Sequence, residues 1–370
     1  MIVYFTVAAG AILFAALSDV LVRHSAVERA ARARRPFGLF GVSLWTPFDV
    51  FAIVILVAFV AMRSISVGTD TRTYADIFAS IPASDPLPIV LDHSPQEIGY
   101  TTLSYVVKSV GGDFAALLWV TSGITVVCAY WAIKRASSDT AFSLALFIFL
   151  AHYLLQFNII RQGMAASILL LAATFLGRRK GWVAYTVLAA VASTLHASAV
   201  VATVAIFLVQ KWKATPRRLI VVSVLAALLG AALWASPWLK GLVESLNPRY
   251  GSYLDWEIQA GLGTYLLIAT QGLLLLYAVK LHPNLKDMKY AAWSTAGVAC
   301  LIIGTQSIIA ARVGSYFLIF LCILIPNVTR DKGVPKAHLV TILVASAVFF
   351  GFHLSHFGGV LPYSFAPLGL

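Results

Sequence analysis

Runs of roughly 17–25 apolar residues, each enough to cross a hydrocarbon core about 30 Å thick, recur along this chain from end to end. Inside a bilayer such a segment has no water to satisfy its backbone, so it closes its hydrogen bonds within itself as a helix. Spans are predicted at 2–22, 49–65, 113–133, 140–157, 163–177, 182–195, 197–210, 219–236, 263–279, 291–309, 313–327 and 338–355. That makes about twelve. Composition agrees: 60% of the 370 residues are hydrophobic and 11% are charged, with a mean hydropathy of +0.87, far more apolar than a soluble domain. The chain reads as all-α, a polytopic bundle of about twelve transmembrane helices with short helices outside it, forming one transmembrane domain over 1–370.

The formal charge of +12 reports topology before it reports any partner. Basic residues follow alternate runs: Arg23, Arg29, Arg32, Arg34 and Arg35; Lys134 and Arg135; Arg178, Arg179 and Lys180; Lys211, Lys213, Arg217 and Arg218; Lys280, Lys286 and Lys289; Arg330, Lys332 and Lys336. The positive-inside rule puts these loops in the cytoplasm and the N-terminus outside. No nucleic-acid partner is implied. Tryptophans at run ends (Trp45, Trp131, Trp182, Trp212, Trp234, Trp238 and Trp293) fit interfacial belts. Cys128, Cys300 and Cys322 each fall inside an apolar run, so they form neither a disulfide framework nor a metal spacing. No cofactor is expected.

The segment Trp182–Gln210 fits neither one helix, roughly 43 Å long, nor two comfortable spans of roughly 21 Å each. A single span would throw every later basic loop outside. A hairpin of two short helices turning at Thr194-Leu195-His196 keeps them inside.

With that topology the polar chemistry collects on the outer surface, in the loop 66–112 with its interfacial helices, the loop 237–262 and the turns near Arg161, His196 and Arg312. Carboxylates there (Asp70, Asp76, Asp85, Asp92, Glu97, Asp113, Glu244, Asp255 and Glu257) meet Arg63, Arg72, Arg161, Arg249 and Arg312. In "SVGTDTRTYADIF" (66–78), Gly68 turns the chain and Asp70 is placed to cap a short helix on which Tyr74, Ile77 and Phe78 share a face. Asp70 and Arg72 then stand at the mouth of the bundle. In "SPQEIGY" (94–100), Ser94, Pro95 and Glu97 have capping-box spacing, and a capping Glu97 is compatible with a catalytic one.

"FNIIRQGMAAS" (157–167) carries Arg161 at the outer interface. A charge near the bilayer centre costs about 2.5–3.5 kcal/mol on insertion scales, so Arg161, with Gln162 and Asn158 beside it, is read as facing the bundle. His196 in "STLHASAV" (193–200) has no second ligand nearby; it serves either as a packing residue or as a general base or phosphate donor. "NPRYGSYLDW" (247–256) opens a helix whose first turn carries Arg249, a start that favours anions. "IIAARVGSY" (308–316) puts Arg312 in a turn between apolar runs, as with Arg161. No Walker loop, Gly-rich nucleotide fingerprint, HExxH or serine elbow is present, which argues against nucleotide-driven chemistry.

The ordered pieces GTDTRTY (68–74), EIGY (97–100), N-x-x-RQ (158–162), the H-x-S turn (196–198) and RY-G-x-Y (249–253) resemble the EpsG-like, Wzy-type bacterial polysaccharide polymerases, over residues 63 to about 316. The resemblance implies a GT-C-like bundle in the bacterial inner membrane with its site facing the periplasm. It implies a metal-independent glycosyltransferase that moves a growing glycan from undecaprenyl diphosphate to another lipid-linked repeat unit. Its partners would be undecaprenyl-diphosphate-linked oligosaccharides, membrane lipid and other polysaccharide assembly proteins. On this likeness Arg161, Arg249 and Arg312 hold the diphosphate, Asp70 or Glu97 deprotonates the acceptor, and His196 serves either task. Arg72, Gln162, Tyr74, Tyr250 and Tyr253 complete the substrate-binding set. A diphosphate leaves readily, so such an enzyme needs cations where charge develops and a base at the acceptor hydroxyl.

Two other classes compete. An O-antigen-ligase-like transferase shares the cavity and differs in acceptor. A flippase or transporter calls for polar residues at the midplane, broken helices and paired halves, whereas the charges here gather at one face and no repeat is visible.

Overall fold

The computed structural model describes residues 1–24, 45–236, 241, 245, 261–284, 286–356 and 358–366. Its described elements are helical, and the chain gathers into two compact units, Met1–Thr203 with Leu343–Leu370 and Val204–Ile342. Among the described residues five helices are long and apolar enough to cross a bilayer: α1 (Ile2–His24), α6 (Phe114–Ala136), α13 (Leu262–Lys280), the continuous stretch Ile308–Asp331, and α17 (Lys336–His356). A bent pair, Thr140–Phe149 with His152–Asn158, makes a sixth if counted as one span. Five further apolar helices are shorter: α2 (Pro47–Ala61), α9 (Ile160–Ala173), α10 (Gly181–Leu195), α11 (Ala199–Val209) and α14 (Met288–Ile303). Length alone therefore gives five to six crossings where apolar runs suggested about twelve.

In the first unit α1, α2 and α6 pack together. Thr46 and Asp49 form a capping box at the start of α2, with Pro47 in the first turn. Asp49 is fully buried and accepts from Tyr130 at 2.6 Å and from Lys134 at 3.1 Å. Lys134 also reaches Ser18 of α1 at 3.2 Å. A carboxylate and an ammonium buried together are stabilised only by such complete pairing, so one end of these three helices is fixed by polar side chains.

The other end is fixed by backbone. The expected span 140–157 breaks after α7 (Thr140–Phe149): Ala151 takes φ 65, a single turn covers His152–Leu154, and α8 (Leu155–Asn158) leaves at 60°. Arg63, expected among external carboxylates, is instead 1% exposed. Its guanidinium donates to the carbonyls of Val60 at 3.0 Å and Gln156 at 3.2 Å and lies over the Phe157 ring. A cation is thus used to satisfy carbonyls that two helix ends leave open.

The hairpin expected at 182–210 is present: α10 and α11 part at His196–Ser198, and the Tyr185 hydroxyl donates to the Thr203 carbonyl at 2.5 Å. In the second unit, α12 (Pro216–Ala235), α13, α14, α15 (Ile308–Leu318) and α16 (Leu321–Asp331) pack around α14. Trp293, expected at an interface, is fully buried there; its indole donates to Ile206 at 2.9 Å and its ring meets Phe320 at 4.5 Å. Arg312, expected in a turn, sits inside α15, because Ser307 caps that helix earlier by accepting from Ala310.

Candidate functional site

Three short segments, far apart in the chain, bring Glu97, Arg161 and His196 into contact. Glu97 stands at the head of α5 (Ile98–Ser109) without capping it. The box expected from Ser94 to Glu97 does not form: Ser94 instead bonds the Thr101 hydroxyl at 2.7 Å and the Gln96 N–H at 3.2 Å. The carboxylate of Glu97 is occupied elsewhere. One oxygen takes the Arg161 Nη1 donor; the other lies 2.9 Å from His196 Nδ1 and accepts the Ala197 N–H at 3.3 Å. Gly99 makes this reach possible, since a methyl on it would strike the hydroxyl and carbonyl of Thr194 at the end of α10.

Burial alone would raise the Glu97 pKa, but the His196 hydrogen bond and the Arg161 charge outweigh it and hold the carboxyl down at about 2. Glu97 is therefore an anion at any working pH and a weak base. Because a carboxylate only accepts, His196 Nδ1 must carry the proton toward it, leaving Nε2 as the basic atom of the ring. That division of labour is set by partner chemistry.

Arg161, in the first turn of α9, gives its second hydrogen bond to Tyr74, whose hydroxyl lies 3.5 Å from Nε. Tyr74 is buried on α3 (Thr71–Ser80) and meets Tyr100 edge-on at 5.7 Å. The guanidinium lies over the Tyr74 ring, 5.8 Å from its centre, so this substrate-binding candidate is a buried support for Arg161. Burial pushes the Tyr74 hydroxyl pKa up, keeping it neutral. The guanidinium is 21% exposed, and among the described residues its Nη2 has no protein partner.

The remaining predicted residues divide. Asp70 precedes α3 without bonding its N-terminus; its Oδ1 lies 3.0 Å from the Thr69 hydroxyl. Gly68 does turn the chain there, with φ +92. Arg72 is exposed on α3, and Gln162 is buried behind Arg161 in α9. Arg312 belongs to the second unit. Arg249, Tyr250 and Tyr253, with the loop 237–262 as a whole, lie outside the described residues apart from Gly241, Ser245, Gly261 and Leu262. No group of metal-ligating side chains occurs among the described residues.

A family model described as the EpsG family matches residues 47–365. The chain belongs to the EpsG family. This is the exopolysaccharide, Wzy-type polymerase family, and with the apolar helices it makes the chain a membrane protein of polysaccharide biosynthesis. No curated protein and no solved structure matches the chain. The EpsG match is wider than the motifs implied, extending back over α2 and forward into the C-terminal tail. The tail gave no signal in sequence. Asn158, read in sequence only as a polar neighbour of Arg161, bonds Thr69 across 89 positions.

Proposed function

We propose that this EpsG-family chain is a polysaccharide polymerase of the bacterial inner membrane, transferring a growing glycan from undecaprenyl diphosphate to a lipid-linked repeat unit at the periplasmic face. The observation that carries the reading is the sharing of one carboxylate between a cation and a base, with a guanidinium nitrogen left over. Arg161 Nη2 meets the diphosphate oxygens, for which its planar fork is suited. His196 Nε2 takes the proton of the acceptor hydroxyl as that oxygen attacks the anomeric carbon. The bond from that carbon to the diphosphate oxygen breaks, and the diphosphate leaves with the electron pair. Glu97 aims both partners, and Asp70 orients the acceptor. The step needs neither nucleotide nor metal ion. In this reading the shorter apolar helices complete a GT-C-like bundle of about twelve short or tilted spans.

The test combines purified lipid-linked repeat unit with the full-length protein in detergent, without added metal or nucleotide. Wild type should lengthen chains, and Arg161→Ala and His196→Ala should each lower growth by about a hundredfold or more. Full growth in both folded variants removes the site. Deletion in cells should leave single lipid-linked repeats; unattached long chains would instead indicate a ligase.

A further inference from the structure

The C-terminal tail runs back along the segment that delivers Asp70. Ala366 N–H donates to Met62 at 2.8 Å, Ser64 N–H to Ser364 at 2.9 Å, and Gly68 N–H to Gly359 at 3.0 Å. Side chains hold it down: the Tyr363 hydroxyl donates to Phe59 at 2.6 Å with the two rings stacked at 4.4 Å, and the Tyr4 hydroxyl donates to Val360 at 2.7 Å. Where tail and loop meet, the Thr69 N–H is shared between Asn158 Oδ1 at 2.8 Å and the Gly358 carbonyl at 3.2 Å. The Thr69 hydroxyl is likewise shared, between Asn158 Oδ1 at 3.3 Å and Asp70 Oδ1 at 3.0 Å. Gly358 has φ +72, and a methyl on it would strike Asn158 Nδ2.

We propose that the tail is a positioning element of the site: Gly358 seats Asn158, Asn158 fixes Thr69, and Thr69 aims the Asp70 carboxylate. The Thr69 contacts join three segments that share no secondary structure, and the Thr71 hydroxyl supports them by donating to the Phe157 carbonyl at 3.1 Å. The same Asn158 ends the helix just before Arg161, which ties the aim of the acidic side chain to that of the cation. Extension of the family match to residue 365 fits a tail that belongs to the working part of the chain. The inference rests on the reading of Asp70 as a site residue.

The experiment uses the full-length protein with lipid-linked repeat unit. Asn158→Ala and Gly358→Ala should each lower kcat about tenfold while KM stays within about twofold, because aim rather than affinity is lost. The double variant should lose less than the product of the two single losses, since without the Asn158 amide the added methyl keeps only the strain of its positive φ. Unchanged kcat in the single variants, or a double variant showing the product of both losses, overturns the proposal. A second reading needs no turnover: the maleimide labelling rate of Asp70→Cys should shift about threefold or more when Asn158→Ala is added. If wild type fails to lengthen chains but labelling shifts, the polymerase reading fails and the tail proposal stands. If chains grow and neither kcat nor labelling moves, the tail proposal fails alone. Should Asn158→Ala not accumulate, Tyr363→Phe removes only the hydroxyl that pins the tail; it should change both readings in the same direction, and no change in either overturns the proposal.

Discussion

Glu97 answers three donors with two oxygens, and its ionisation sets what the others can do. Its carboxyl is held at about 2 against an ordinary value of 4.5. A lowered folded value means that its stabilisation is complete above the unfolded value and is lost as pH falls from there toward 2. The difference corresponds to stabilisation on the order of 3 kcal/mol. The Tm gap between wild type and Glu97→Gln in detergent should therefore stay constant from pH 8 to about pH 5 and shrink only below about 4.5. A gap that closes by pH 6 would show that the carboxylate is not paired in this way. Arg161 and His196 stood out in sequence because a polar side chain amid apolar runs is costly enough to need a reason, and Glu97 because of its capping-box spacing. The burial of Arg63 was not. Its partners are backbone carbonyls, which every residue has and no pattern marks.

At the scale of elements, the close approach of α5 to α10 decides whether Glu97 reaches His196. Gly99→Ala inserts a methyl against Thr194 backbone and hydroxyl, and overpacking of this kind costs about 1–3 kcal/mol. The variant should lose chain growth out of proportion to its lowered Tm, whereas Gly123→Ala, inside α6 with nothing within 4 Å of the added carbon, should leave growth unchanged and Tm no lower. Equal effects from both substitutions would detach the helix contact from the site. Helix positions were readable to within a few residues, since apolar length is a local signal. The break at Leu150-Ala151 was not readable, because neither Gly nor Pro marks it. The capping box at Ser94 was misread for the opposite reason: the local signal is present, but Arg161 and His196 bind Glu97 more strongly than a helix N-terminus does.

At the scale of the whole molecule, the proposed sidedness rests on charge. Cysteine placed at Ser84 in the outer loop should react with an impermeant maleimide in intact cells. Cysteine placed at Ser138, after the basic pair Lys134 and Arg135, should react only once the membrane is opened. The reverse pattern would turn the proposed site toward the cytoplasm. All-helical character, membrane residence and family were legible from apolar runs and five short motifs. The pairing of the tail with Met62–Thr69 was not, because backbone contacts between segments about 300 residues apart leave no mark in the side chains. That pairing bears on biogenesis. A ribosome that stalls before residue 358 has already made the segments bearing Glu97, Arg161 and His196, yet the brace along Met62–Thr69 has not been made. On the proposed reading, prematurely terminated products would carry the cluster with Asp70 unbraced, so full turnover would await passage of the ribosome beyond Lys336–His356.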